Sequence, residues 1–260
     1  MRIATWNVNS VVARLPRLLE WLELTGPDVV CLQETKIPDD GFPRAEVEAL
    51  GYQVATHGDG RWNGVALLSR VGLADVTAGL RDQPGFPGPE CRALGATCGP
   101  LRLWSVYVPN GREPGHEHYT YKLEWLAALR GTVEAELSSG VAPYAVCGDY
   151  NVAPADDDVW DITAFAGSTH VTEPERNALA RLLDTGLVDV VPRPMKYDRP
   201  FTYWDYRAGM FHKNMGMRID LVYATPAFAG AVTDAYVDRD ARKGKGPSDH
   251  APVVVDLDLG

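Results

Sequence analysis

The chain lacks any apolar run approaching the roughly 18 residues a membrane-spanning helix needs. Its N-terminus has no basic-then-apolar export pattern either. Both absences lead to the expectation of a cytoplasmic protein with no bilayer partner. Neither GxGxxG nor the GxxxxGK[ST] phosphate loop occurs, so no nucleotide cofactor is called for. Cysteine is scarce: Cys31, Cys91, Cys98 and Cys147 show no zinc-site spacing. Cys31 and Cys147 fall in apolar runs, where a cysteine acts as a small buried hydrophobe, so structural thiols are expected and only a Cys91 and Cys98 bridge stays open. Excess positive charge is missing as well. A net charge of −10 argues on average against a nucleic-acid partner.

The average conceals a distribution. Residues 193–246 carry ten Lys/Arg against six Asp, a local +4, while the first 192 residues stand at −11. One basic region on an acidic body suits a protein that meets phosphates on a single face, and suits an ordinary basic patch nearly as well. With 260 residues, 45% hydrophobic and 23% charged, the chain can bury a large core as one domain or two fused halves.

Periodicity organises that core. Met1 to Val8 reads as a strand, followed by a helix capped by Ser10 with apolar positions Val11, Leu15, Leu18, Leu19 and Leu22. Residues 28–33 form a second strand closing on Glu34. This βαβ opening puts Asn7 and Glu34 at the same ends of neighbouring strands, where open sheets tend to hold ligands. Strands are further expected at 52–56, 64–69, 91–97, 101–108, 144–147, 187–190, 201–204, 218–223, 231–237 and 251–257. Helices are expected at 116–137 and 175–183. Residues 82–90, rich in Pro and Gly, read as a surface loop, and Asp156, Asp157, Asp158 and Asp161 as a solvated acidic loop. Strands outnumber helices more than two to one, which predicts two sheets packed on each other with helices outside.

The stretch with most chemistry is Gly148-Asp149-Tyr150-Asn151, at the exit of a short apolar strand. Asp149 and Asn151 are two apart and at strand spacing face the same way, an arrangement able to aim and activate a water. An Asp/Asn turn is the ordinary alternative. Glu34, Asp220, Asp249 and His250 also lie near strand ends, with Asn7, Tyr107 and Asn151 as neutral partners. Carboxylates gathered without equal positive charge repel one another, so a shared site calls for a cation. Oxygen donors select a hard ion, Mg²⁺ first with Mn²⁺ as the alternative. Asp249 cannot readily orient its neighbour His250. Asp220, from another strand, can, which would keep the imidazole protonated beside a phosphate.

Seven runs in order carry a family resemblance. They are Ile3-Ala4-Thr5-Trp6-Asn7-Val8-Asn9, Leu32-Gln33-Glu34-Thr35-Lys36, Trp62-Asn63-Gly64-Val65-Ala66, Tyr107-Val108-Pro109-Asn110-Gly111, Gly148-Asp149-Tyr150-Asn151, Arg218-Ile219-Asp220 and Ser248-Asp249-His250. Together they resemble exonuclease III and the related AP endonucleases of the endonuclease/exonuclease/phosphatase superfamily. The resemblance implies a single domain over residues 1–260, a four-layered α/β sandwich, and a Mg²⁺-dependent phosphodiesterase acting as a monomer on duplex DNA with abasic sites or recessed 3′ ends.

By that resemblance, Glu34 would be the main metal ligand, with Asn7 beside it and Asp249 nearby. Asp149, held by Asn151, would orient or deprotonate the attacking water. Asp220 would partner His250 at the scissile phosphate, and Tyr107 would donate to the phosphate or the departing oxygen. Tyr203, Trp204, Met217 and Ile219 would border the abasic sugar, with Tyr203 and Met217 replacing aromatics found there in some relatives. Arg207, Lys213, Lys243, Lys245 and Asn110 would contact DNA. Other members of the superfamily cleave non-DNA phosphate esters, and a non-catalytic DNA-binding relative would keep the basic face without turnover.

Overall fold

Strands β1 (Arg2–Asn7) and β2 (Val29–Gln33) lie parallel with Asn7 opposite Gln33, joined by α1 (Val11–Thr25). The computed structural model describes residues 1–140 and 143–260. The Ser10 hydroxyl caps α1 by accepting from the Ala13 amide, and Gly26 ends it at a left-handed φ of 60°. Next come α2 (Arg44–Glu48), β3 (Gln53–His57), β4 (Val65–Ser69), β5 (Ala74–Ala78), β6 (Ala93–Cys98), β7 (Leu101–Tyr107), α3 (Glu117–Ser138) and β8 (Tyr144–Asp149). The remainder is α4 (Glu173–Leu183), β9 (Val188–Asp189), α5 (Met210–Lys213), β10 (Asp220–Ala224), α6 (Pro226–Gly230), β11 (Val232–Val237) and β12 (Val253–Leu257).

Two six-stranded mixed sheets result, ordered β11-β12-β1-β2-β4-β3 and β5-β6-β7-β8-β10-β9. Their inner faces meet in one core that includes Ile3, Cys31, Leu67, Leu103, Cys147, Val222 and Val255. The outer face of the first sheet packs Ala4, Trp6 and Leu32 under Leu18, Trp21 and Leu22 of α1. The outer face of the second packs Trp104, Val106 and Val146 under Trp125 and Leu129 of α3 and Leu179 of α4. This is the expected four-layered α/β sandwich. All four cysteines are free and buried, which closes the question of a Cys91–Cys98 bridge. No helix among the described residues is long and apolar enough to cross a membrane.

One expected strand is absent and one observed strand was not expected. Residues 201–204 form no strand: only Tyr203 makes isolated bridges, to Met217 and His250, one residue each and short of a ladder. Strand β5 escaped the sequence reading because all five of its residues are exposed, which leaves no apolar alternation to detect. In the acidic loop Asp156 and Asp157 face solvent as expected, on exposed pairs with Arg176 and Arg199, and only Asp158 is drawn in, by Arg218.

Candidate active site

Side-chain parity along the strands builds the site. Ile3, Cys31, Leu103, Cys147 and Val222 all face the core between the sheets. Continuing each strand by twos puts Asn7, Gln33, Tyr107, Asp149 and Asp220 on that same inner face toward one end. Register gathers them there, because Tyr107 pairs with Asp149 across the β7–β8 parallel ladder and Asp220 with Asp149 across β8–β10. The interior turns polar in steps. Gln33 Nε2 donates to Thr5 and Ser105 hydroxyls at 3.0 Å each, tying the two sheets just beneath the site.

At the open end the groups interlock. Asn7 Nδ2 donates to Glu34 Oε1 at 2.8 Å and to Asp149 Oδ2 at 2.9 Å. His250 Nδ1 donates to Asp220 Oδ2 at 2.8 Å, and its Nε2 lies 3.8 Å from Asp149 Oδ2. Thr202 Oγ1 accepts from the amides of Ile219 and Asp220, and Ser248 Oγ accepts from the His250 amide while donating to the Asn7 carbonyl. The Tyr203 ring packs on the His250 ring at 4.9 Å.

Electrostatics assigns the protons. Burial opposes a charged imidazole, yet Asp220 and Asp149 outweigh it and raise the His250 pKa to about 10. The Asp149 carboxyl is pushed up to about 7, by burial and by the charges of Asp220 and Glu34, against the pull of His250. Burial alone would raise Glu34, but Lys36 at 2.6 Å and the Asn7 amide hold it below its ordinary value. Burial pushes the Tyr107 phenol well up, helped by the Glu34 charge, so it remains a donor.

Ligand atoms of Glu34, Asp149 and His250 fall within 4.8 Å of one another. An imidazolium has both nitrogens protonated and cannot bind a cation, so the oxygens of Glu34 and Asp149 are the ligands the cluster offers. Their mutual repulsion, visible in the raised Asp149 pKa, is what a hard divalent ion would relieve.

Residue by residue, the sequence expectations fare differently. Asn7 bridges the two carboxylates as a donor, and its Oδ1 accepts from the Asn9 amide. Asp249 lies outside the converging group and accepts from Asn9 Nδ2. Asn151 turns out of the strand at φ 50°, so it does not point with Asp149; its main-chain N–H, not its carboxamide, holds Asp149 Oδ1 at 2.9 Å.

Tyr203, Met217 and Ile219 join Ala153 and Val159 in a small apolar cluster beside His250. Trp204 does not: 1% exposed, it belongs to the intersheet core, with Phe211 edge-on against it and Asn214 accepting from its Nε1. Arg207, Lys213, Lys243 and Lys245 are exposed, with Arg207 engaged by Asp205 and Lys243 by Asp240; Asn110 donates to Asn151 Oδ1. Sequence reasoning passed over Lys36 as a site group, although its spacing of two from Glu34 was a readable signal. Ser248 stands in the Ser248-Asp249-His250 run, while Thr202 carried no signal.

Residues 4–250 match the Endonuclease/Exonuclease/phosphatase family. The chain belongs to that family. Among relatives of this family member, Exodeoxyribonuclease III of Haemophilus influenzae is 32% identical over 97% of this chain and 98% of its own. A Neisseria 3′ phosphatase solved with a product DNA hairpin superimposes with a TM-score of 0.95 at 37% identity, covering 100% of both chains. An AP endonuclease from Archaeoglobus fulgidus gives 0.93 at 35%, again covering 100% of both. The acidic cluster beside a charged imidazole, in a fold shared throughout with exonuclease III and AP endonucleases, makes this chain a metal-dependent hydrolase of phosphate esters.

Proposed function

We propose that the chain is a Mg²⁺-dependent DNA phosphodiesterase of the exonuclease III type. It would cleave on the 5′ side of abasic sites and remove nucleotides or blocking groups from 3′ ends of duplex DNA. The observation that carries this reading is the Asp149–His250–Asp220 row beside Glu34, at the mouth of the sandwich.

The residues divide the work. Asp149 can take a proton from a water, and the Asn151 amide and Asn7 carboxamide fix the direction in which it does so. A base so placed is worth about 10²–10⁴-fold. The His250 imidazolium, oriented by Asp220, meets charge growing on a non-bridging phosphate oxygen. Tyr107 keeps its phenolic proton and can donate to the phosphate or the departing oxygen. A Mg²⁺ bound to Glu34 and Asp149 would supply further positive charge to those oxygens. The apolar cluster of Tyr203, Met217 and Ile219 suits a sugar without a base, which costs less to extrude than an intact nucleotide. Arg207, Lys213, Lys243 and Lys245 would grip backbone phosphates without reading sequence.

The test is a side-by-side assay of duplexes with one abasic site, a recessed intact 3′ end or a 3′-phosphate, with Mg²⁺ and with chelator. Nicking that leaves a 3′-hydroxyl, or 3′-end removal, abolished by chelator is expected. Hydrolysis of free inositol phosphates with none of any duplex would overturn the reading, as would duplex binding without turnover under Mg²⁺ or Mn²⁺.

A further inference from the structure

Under the Asp149 loop lies an ion pair that the catalytic cluster leaves unused. Lys122 of α3 and Glu175 of α4 are both fully buried and 2.5 Å apart. Such a pair adds little to stability over an apolar replacement, because desolvating two charges offsets most of their attraction. Its contacts point elsewhere. Lys122 Nζ donates to the main-chain carbonyl of Asn151 at 2.7 Å and to that of Asn110 at 3.1 Å. Glu175 is itself held by the Thr169 hydroxyl at 2.6 Å, the His170 amide at 3.0 Å and both donors of Thr172 at 2.7 and 3.1 Å. One ammonium therefore joins the loops that leave β7 and β8, and one carboxylate fixes the ammonium.

We infer that Lys122, fixed by Glu175, is a positioning residue for Asp149, acting through the main chain of Asn151. The path is short. Lys122, alongside His170 Nδ1, grips the Asn151 carbonyl, Asn151 is held at its left-handed φ of 50°, and in that conformation its N–H reaches Asp149 Oδ1 at 2.9 Å. Asn110, gripped by the same ammonium, donates its side-chain amide to Asn151 Oδ1 at 3.2 Å, a second restraint on the turn. Gly111 makes room: with φ +90°, a Cβ there would meet Lys122 Cδ and Thr169 Oγ1 at 2.9 Å each. The ionised pair has no net charge, so the Coulombic coupling of the Lys122 ammonium to Asp149 is partly offset by Glu175 and acts beside the geometric path.

The inference rests on Asp149 being the group that aims the water. The double variant Lys122→Met with Glu175→Gln removes both charges and the donor while retaining volume. Its thermal midpoint should stay close to that of the wild type. Its kcat on abasic duplex should fall about 10–100-fold, the scale of a small misplacement of a reacting group, with KM nearly unchanged. A folded double variant with wild-type kcat, or one whose loss falls on KM, overturns the inference. Should it not fold, Lys122→Gln, whose amide still donates to Glu175 but cannot span both carbonyls, should show the same kcat loss, and wild-type kcat there overturns the inference equally. A wild-type protein inactive on DNA would count against the proposed function alone. The positioning role is then read from the His250 ring signals by NMR, which should move in the double variant as Asp149 shifts beside Nε2 and which overturn the inference if unmoved.

Discussion

An imidazole with carboxylates facing both nitrogens stays protonated well past neutrality, and His250 is such a group, with Asp220 at 2.8 Å and Asp149 at 3.8 Å. Its folded pKa of about 10 exceeds the ordinary 6.5, so its stabilising contribution is complete below 6.5 and lost as pH rises through 10. Asp149, raised from 3.8 to about 7, works in the same direction: its contribution is present below 3.8 and gone above 7. Without divalent ion, stability against urea should therefore decline from pH 7 to 10 in the wild type and more shallowly in His250→Gln. A Mg²⁺ held by Asp149, as proposed, would have to displace its proton, so the rise in thermal midpoint on adding Mg²⁺ should be larger at pH 8 than at pH 6. An equal rise at both would contradict the assigned ligand. Glu34, Asp149, Asp220 and His250 were legible from sequence because each ends or precedes an apolar strand. The donor role of Asn7 and the burial of Trp204 were not, since both depend on neighbours from strands and loops far away in the chain.

Elements place the chemistry through pairing register. Strands β7 and β8 approach so closely at Gly148 that a Cβ there would lie 1.9 Å from the Val106 carbonyl oxygen. Gly148→Ala should thus cost about 1–3 kcal/mol, measured from the denaturant midpoint. It should also lower kcat, because Asp149 is the next residue. Wild-type stability in that variant would refute the register. Strand parity and the βαβ opening could be read from apolar spacing, and so could most element positions. Residues 201–204 read falsely as a strand because Phe201, Tyr203 and Trp204 are β-prone, yet the main chain there makes only isolated bridges and extends neither sheet. Edge strand β5, exposed throughout, pairs through its backbone and polar side chains such as Asp75, which accepts from Thr97, and so shows no apolar alternation.

At the scale of the whole molecule, an acidic body carries one basic region, residues 193–246 at +4 within a net −10. Affinity for duplex DNA should fall steeply with salt, and each of Lys213→Ala and Lys243→Ala should lower the slope of log affinity against log salt by about 1 without altering sequence preference. A slope unchanged in both would move the DNA to another face. Everything depends on two sheets whose inner rows become polar at one end, so that Asn7, Glu34, Asp149, Asp220 and His250 share one site. The most direct measurement is single-turnover cleavage of a duplex with one abasic site by wild type and Asp149→Asn in Mg²⁺, with binding measured in parallel. The account predicts a loss of at least about 10²-fold in rate with duplex affinity largely kept; undiminished cleavage by Asp149→Asn would contradict it.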